Sequence, residues 1–424
     1  MGVLTGKTAI VGVGETTYYR DAGRTTLSLG VEAIRNAVKD AGLELSDIDG
    51  MTSYQAGGDS HGSNEMAQSL GMQLNYSLDI MGGGSSTEAL VAHAAGLLAG
   101  GYCNNIVIFR SMRGRTGKRM GGQTPSGPVP AVAINTDGEA LRIGVTTPAQ
   151  NFGIAAMRYF KEYGAGTKQL AAVAMTHRYH ATLNPRAFFY KKPLTLEDYI
   201  SARWVSKPFR LFDCCLEMDV ACAFVMTRKE MAYDLKHPPI YILGGSARTM
   251  SESPAYNPGR LNTAVHHHAS NWASRRWMGM SGVTHKDIDT ASFYDAFTFT
   301  PLIQMEGYGF VDHGEAGFWY EEGHGRLDAR MPVNTSGSHL SEGYTHGIQM
   351  VVEMARQLRG RADCSTDACP DWEKGIHCFD REKGCRQVKK YGTQDSLPEV
   401  GFCGGWGSPT TSSSLVLSKF SSSN

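Results

Sequence analysis

The apolar positions change period along the chain, and each change marks an element. Thr8 to Val13 (TAIVGV) is a β-branched run closed by Gly14, which predicts a buried strand. Thr26 to Ala41 then places Leu27, Val31, Ile34 and Val38 at helical spacing and stops at Gly42, a residue suited to a left-handed C-cap. Strand followed by helix predicts an α/β layer. A second unit runs from Met81-Gly82-Gly83-Gly84-Ser85-Ser86 through the alanine-rich stretch Ala89 to Ala99 and into a strand over Asn105 to Phe109. Small residues at such a helix start leave backbone N–H groups open to a carbonyl or anion. The same composition also suits a tightly packed core helix.

From Arg113 to about Arg210 the pattern loosens, and aromatic, basic segments such as Phe188-Phe189-Tyr190-Lys191-Lys192 appear. Both a lid or binding loop and a solvated surface excursion fit this stretch. Asp213 to Met226 returns to a small-residue, helix-to-strand pattern. Pro239 to Gly244 and Asp289 to Phe299 begin a second strand series, Gln349 to Arg359 predicts an amphipathic helix, and Ser412 to Phe420 predicts a final edge strand. The organisation expected is two α/β halves, 1–235 and 236–424, with a loop domain at about 112–210 and a cysteine-containing insertion at about 362–386.

Charge removes some functions from this picture. Lys plus Arg and Asp plus Glu each total 41, so no global field favours nucleic acid or an anionic membrane. The opening residues lack a basic flank followed by a long apolar run, and the expectation is a cytoplasmic protein without a membrane span. Nine cysteines, an odd count, then read as thiols or metal ligands rather than a disulfide framework. Cys364, Cys369, Cys378 and Cys385, with His377 beside them, are spaced C-x4-C-x8-C-x6-C without the tight C-x2-C knuckle. A zinc site and a loop of free thiols both remain open there. His266-His267-His268 cannot all face one ion on a regular element and predict a polar loop. Gly12-Val13-Gly14 begins like a dinucleotide-binding loop, but Glu15 and two threonines stand where later glycines are needed.

Four segments, taken in order, resemble the thiolase superfamily and in particular its lipid-transfer-protein or sterol-carrier branch. They are the helix start at 81–90, Asp213-Cys214-Cys215, Tyr294-Asp295-Ala296-Phe297, and Pro332-Val-Asn-Thr-Ser-Gly337 continuing to Gly343-Tyr344-Thr345-His346-Gly347. The resemblance implies a five-layered αβαβα fold of two duplicated halves, with the site at their interface and CoA as the acyl carrier. Arg113, Arg115, Lys118 and Arg119 are candidates to meet its phosphates. Against the family pattern, Gly83 or Gly84 stands where the nucleophilic cysteine belongs, and Tyr294 and Tyr344 replace nitrogen-bearing residues. That combination resembles the steroid side-chain-cleaving aldolases of this branch. It implies a homodimer joined by a small OB-fold, zinc-ribbon partner in a two-plus-two assembly, with any zinc in that partner.

A retro-aldol cleavage forms no acyl-enzyme, so a missing cysteine is tolerable. It calls for no cofactor beyond the CoA of the substrate. Its enolate needs donors, for which Gly83, Gly84 and Ser85 at the helix start, with Gly404 and Gly405 from the other half, are candidates. Tyr294 is expected at the β-hydroxyl and Tyr344 near the carbon to be reprotonated, or the reverse. Asp295 and His346 are candidate orienting groups. Cys403, in Phe402-Cys403-Gly404-Gly405, resembles the second thiolase cysteine and keeps a Claisen-type thiolase or acyltransferase as an alternative. A noncatalytic acyl-CoA-binding scaffold is the other.

Overall fold

The computed structural model describes residues 1–117, 119, 144–145, 147–247, 249–250, 268–362, 386–393, 396–408 and 411–422. Lys118, His266, His267, His377 and the four cysteines Cys364, Cys369, Cys378 and Cys385 lie outside the described residues.

In chain order the elements are β1 (Thr8–Glu15), α1 (Thr26–Ala41), β2 (Gly50–Gln55), α2 (Ser63–Leu70), β3 (Tyr76–Met81), α3 (Ser86–Ala99) and β4 (Asn105–Arg113). The excursion follows, with α4 (Pro148–Tyr163), α5 (Thr167–Leu183), α6 (Leu196–Ser201), β5 (Trp204–Ser206) and β6 (Phe209–Arg210). Then come β7 (Asp219–Arg228), α7 (Lys229–Ala232), β8 (Ile240–Gly245), β9 (Thr249–Met250) and α8 (Ala269–Ser281). The last part holds β10 (Thr290–Phe293), α9 (Phe299–Gly307), α10 (Ala316–Glu321), α11 (Ser338–Ser341), α12 (Ile348–Arg359), β11 (Val400–Ser408) and β12 (Thr411–Ser418).

Local chemistry accounts for these boundaries. The Thr25 hydroxyl accepts from the Ser28 N–H at 3.1 Å to open α1, and Gly42 closes it at φ 75°. Gly12 and Gly14 serve that packing rather than a nucleotide, because a Cβ at either would collide with the α1 backbone around Ala37.

The strands run β3-β2-β4-β7-β1 from the first part of the chain and β8-β12-β11-β10 from the second, joined where β1 meets β8 at Ala9–Tyr241 and Ile10–Ile240. Helices α3 and α12 each pack on strands of both runs, so they form a middle layer. Outside it, α1 and α2 cover the first run and α8 and α9 the second, giving the five layers expected.

Several expectations change. β12 is not an edge strand: it lies between β11 and β8, and every residue in it is buried. Asp213–Met226 starts on the last residue of a 3-10 turn (Leu211–Asp213) and runs into a strand, with no helix between. α12 is the amphipathic helix expected, but its polar face is buried too, with Arg356 paired to Glu15 at 2.7 Å and Arg359 to Asp40 at 3.1 Å. His268 is not in a polar loop but buried at the start of α8, its ring 5.1 Å from Trp406. The excursion is no solvated appendage either, since α5 packs on α10 and α11 and buries His177, Arg178 and His180. Among the described residues no helix is long and apolar enough to cross a membrane.

Candidate active site

The centre of the site is built where β10 ends. Asn334 behaves like one rung of an extra strand: its Oδ1 accepts from the Phe293 N–H at 2.7 Å and its Nδ2 donates to the Phe293 carbonyl at 2.8 Å. The next residue, Tyr294, is clamped at its backbone, with its N–H on the Gly404 carbonyl at 2.9 Å and its carbonyl held by Gln304 Nε2 at 2.7 Å. Its ring is therefore aimed by three separate elements.

Tyr344 arrives from the turn after α11, where its N–H donates to the Leu216 carbonyl at 2.9 Å. The two phenol oxygens hydrogen-bond at 2.8 Å, and the side chains are 5% and 4% exposed, so the pair is nearly closed off from water. Burial pushes both phenols well above the ordinary tyrosine range; the hydrogen bond with Tyr344 partly offsets this at Tyr294, whereas Tyr294 adds to it at Tyr344. Both are neutral donors near neutral pH.

Gly84 explains how Tyr294 fits. A Cβ at this position would fall inside the Tyr294 ring and against the Trp406 carbonyl, whereas one at Gly83 would meet Gly407 at 3.4 Å and His346 Nε2 at 3.5 Å, ordinary contact distances. Trp406 N–H donates to the Gly84 carbonyl at 3.1 Å, which ties β11 to the start of α3. Ser85 forms the N-cap position of α3 and its buried hydroxyl has no hydrogen-bond partner among the described residues, while the Ser86 N–H turns back to the Gly83 carbonyl at 3.0 Å. The β11 residues that face this helix start are Trp406 and Gly407. Gly404 instead holds Tyr294 from behind, and Gly405 leaves room for the Glu88 carboxyl.

Asp295 orients histidines rather than the tyrosines directly. Its Oδ1 accepts from the His339 backbone N–H at 3.0 Å and from His339 Nδ1 at 2.6 Å, and its Oδ2 takes His177 Nδ1 at 2.8 Å. Burial alone would raise its carboxyl, but these hydrogen bonds hold it well below the usual carboxylate range. The His339 ring lies 4.5 Å from Tyr294 and 5.2 Å from Tyr344.

His346 is held at φ 62° with its ring 5.4 Å from Tyr344. Burial and the nearby Arg110 guanidinium push its imidazolium down to about 3, so the ring is neutral. Arginine can only donate, and its Nη2 lies 3.4 Å from His346 Nδ1; that nitrogen therefore accepts, and Nε2 carries the proton on the side of Gly83. Arg110 is itself fully buried and paired with Asp59, and Tyr54 donates to the His346 carbonyl at 2.7 Å.

Cys403 sits apart from this chemistry. It pairs with Ser292 in the parallel β10–β11 ladder, its thiol donates to the Met350 carbonyl at 3.8 Å, and burial pushes it well above the usual thiol range. Of the basic candidates, Arg119 is paired with Glu217 at 2.7 Å, beside the Glu217–Tyr344 bridge, and Arg113 donates to Thr116 at 3.0 Å. Among the described residues no group of three or more His, Cys, Asp or Glu side chains could hold a metal ion.

Five residues of the site escaped the sequence reading: Tyr54, Asp59, Arg110, His177 and His339. Arg110 carried a signal, a charge directly after the apolar run Ile106 to Phe109. His339 stood five residues before Tyr344 in the same motif, but nothing in the spacing distinguishes it from a surface histidine. His177 belongs to a helix far away in sequence, and only tertiary packing brings it to Asp295.

Residues 260–369 match the family described as thiolase C-terminal domain-like. The chain is 36% identical over 363 residues to a 17-hydroxy-3-oxo-4-pregnene-20-carboxyl-CoA lyase of Mycobacterium tuberculosis, covering 84% of this chain and 93% of the relative. It is 35% identical to a steroid side-chain-cleaving aldolase of Thermomonospora curvata, over 85% of this chain and 92% of that protein. Among solved structures, an Ltp2-ChsH2(DUF35) aldolase superposes with a TM-score of 0.82 at 31% identity, covering 98% of this chain and 99% of the other.

Proposed function

Because the chain belongs to the thiolase superfamily, in its branch of steroid side-chain-cleaving aldolases, we infer that it is a carbon–carbon lyase that splits a β-hydroxyacyl-CoA into a ketone or aldehyde and a shorter acyl-CoA. The observation that carries this reading is the Tyr294 ring standing over Gly84, hydrogen-bonded through its hydroxyl to Tyr344. A tyrosine pair in a nearly dry pocket can donate to an oxygen and pass protons, and phenols held protonated by burial are poor nucleophiles for an acyl-enzyme.

The roles divide as follows. The phenols meet the β-hydroxyl and the carbon that gains a proton, while the N–H of His346 Nε2 and the backbone N–H groups at Gly83 to Ser85 provide donors for the enolate oxygen of the thioester. CoA enters as part of the substrate, and a steroid side chain is the acyl class its relatives' names support. The assembly proposed is a homodimer with a small OB-fold, zinc-ribbon partner in a two-plus-two complex, a reading supported by the two-component name of the structural neighbour. The Claisen alternative loses ground because Cys403 is buried, un-ionised and bonded to a backbone carbonyl.

The test is a panel of hydroxyacyl-CoA thioesters incubated with the protein and its partner, with ketone and shortened acyl-CoA both quantified. Equimolar formation of the two is expected. Acyl transfer to free CoA with label retained on Cys403 would replace this reading with the thiolase one.

A further inference from the structure

Two neutral phenols can relay a proton, but a retro-aldol cleavage also needs a group to hold it while the carbon–carbon bond breaks. His346 is poorly suited, because Arg110 faces its free nitrogen. His339 is differently placed. Its backbone N–H and Nδ1 both donate to Asp295 Oδ1, and its carbonyl accepts from the Leu216 N–H at 2.9 Å, so the ring has little freedom. An ionised carboxylate only accepts, which puts the ring proton on Nδ1 and leaves a lone pair on Nε2. That Nε2 is fully buried and has no hydrogen-bond partner among the described residues. A buried polar atom left unsatisfied carries a cost, of roughly 1–3 kcal/mol, and calls for an explanation.

We propose that His339 Nε2, backed by Asp295 and pressed against the tyrosine pair, is the temporary proton acceptor of the cleavage. The inference rests on the aldolase reading above. The substrate β-hydroxyl gives its proton to the phenol oxygen facing it as the pair, whose oxygens do not hydrogen-bond Nε2 at rest, turns to pass a proton to that nitrogen. The C–O bond becomes a carbonyl, and the electron pair of the Cα–Cβ bond becomes the enolate of the shortened thioester. The proton on His339 then returns through the phenols to Cα, so the hydroxyl proton ends on carbon and the enzyme is restored. The positive charge lodged briefly on His339 faces the Asp295 carboxylate at 2.6 Å, and His177, on the other oxygen at 2.8 Å, keeps that carboxylate in place. His339 acts through the tyrosines and is in that sense a positioning residue.

The experiment compares wild type, His339→Gln and Tyr344→Phe, all with the partner protein. Gln can still donate to Asp295 but cannot take up a proton. Three readouts are taken: steady-state cleavage of a β-hydroxyacyl-CoA, thermal midpoint, and deuterium exchange at Cα of acetyl-CoA and propionyl-CoA in heavy water, which isolates the enolate half of the reaction. For His339→Gln, kcat and exchange should both fall by roughly 10² to 10³ with KM within about threefold and the midpoint nearly unchanged. Where His339→Gln does not fold, His339→Asn is measured in its place. Turnover and exchange within threefold of wild type in the His339 variant, with Tyr344→Phe inactive, would overturn the relay and leave the aldolase standing. Wild type that neither yields ketone nor exchanges would remove the aldolase reading and the relay with it.

Discussion

Two residues on the inward side of the β10–β11 pair, Tyr294 and Cys403, occupy positions that thiolase-like sequences use for chemistry, and their surroundings differ sharply. Around Tyr294 lie a second phenol at 2.8 Å, a histidine ring at 4.5 Å and a glycine whose missing side chain the ring fills. Around Cys403 lie the Met350 carbonyl, apolar packing and the buried Glu88 carboxyl, whose charge would push the thiol up further. A buried thiol with no cation beside it behaves as a small hydrophobe. Keeping a residue type is therefore no guide to keeping its role; the neighbours that shift its proton decide.

The comparison is broken most directly at the hydroxyls. Tyr294→Phe and Tyr344→Phe keep ring volume and should each lower kcat by roughly 10² to 10⁴ with little change in CoA-thioester binding. Near-wild-type turnover in both, beside a dead Cys403→Ala enzyme, would reverse the assignment of the two regions.

Gly84 should come next in size. Gly84→Ala must displace the Tyr294 ring, so activity should fall by about 10²-fold and stability by roughly 1–3 kcal/mol. Gly83→Ala, one residue away with ordinary contacts, should do neither. Equal effects from the two alanines, in melting and in turnover, would disprove the steric account.

Cys403→Ala should cost about 1–2 kcal/mol from lost packing and change kcat by less than about threefold. Denaturant midpoints and turnover numbers measured together decide this.

The smallest effect concerns Glu88, under Gly405. Its carboxyl accepts from the Ser413 hydroxyl at 2.9 Å, its other oxygen is unpartnered among the described residues, and burial pushes it up to about 8. A carboxyl raised in the folded state stabilises the fold fully below its unfolded value, near 4.5, and loses that contribution as pH rises toward 8. Glu88→Gln should thus gain in melting temperature relative to wild type by a few degrees between pH 5 and pH 8. A constant difference across that range would show that Glu88 does not titrate there.

Much of the scaffold was legible in the sequence because it rests on local signals. The β-branched run at 8–13, the Thr25 and Gly42 caps and the small residues at 81–86 each act within a few positions. What misled was polarity read as exposure. The amphipathic pattern of α12 is correct, and an amphipathic surface helix would turn its polar face to water, yet Glu353, Arg356 and Arg359 are satisfied inside the protein by Arg386, Glu15 and Asp40. The terminal strand failed for a related reason, since position near the chain end carries no information about position in a sheet. In the site, the motif yielded the tyrosines, Asp295 and His346. The role of Asp295 as a holder of His177 and His339 was not legible, because it depends on α5 folding back across a sequence separation of 118.

The clash at Gly84 also restricts the order in which such a site could have arisen. A chain carrying any side chain at 84 cannot accept Tyr294 without rearrangement, whereas a chain already bearing glycine there can gain the tyrosine freely. In a lineage descending from an ancestor with its cysteine at 84, the vacancy must precede its occupant, and once the ring has settled, reversion at 84 alone is closed. The change of chemistry would then behave as a ratchet, with a single substitution sufficient to hold it and two required to undo it.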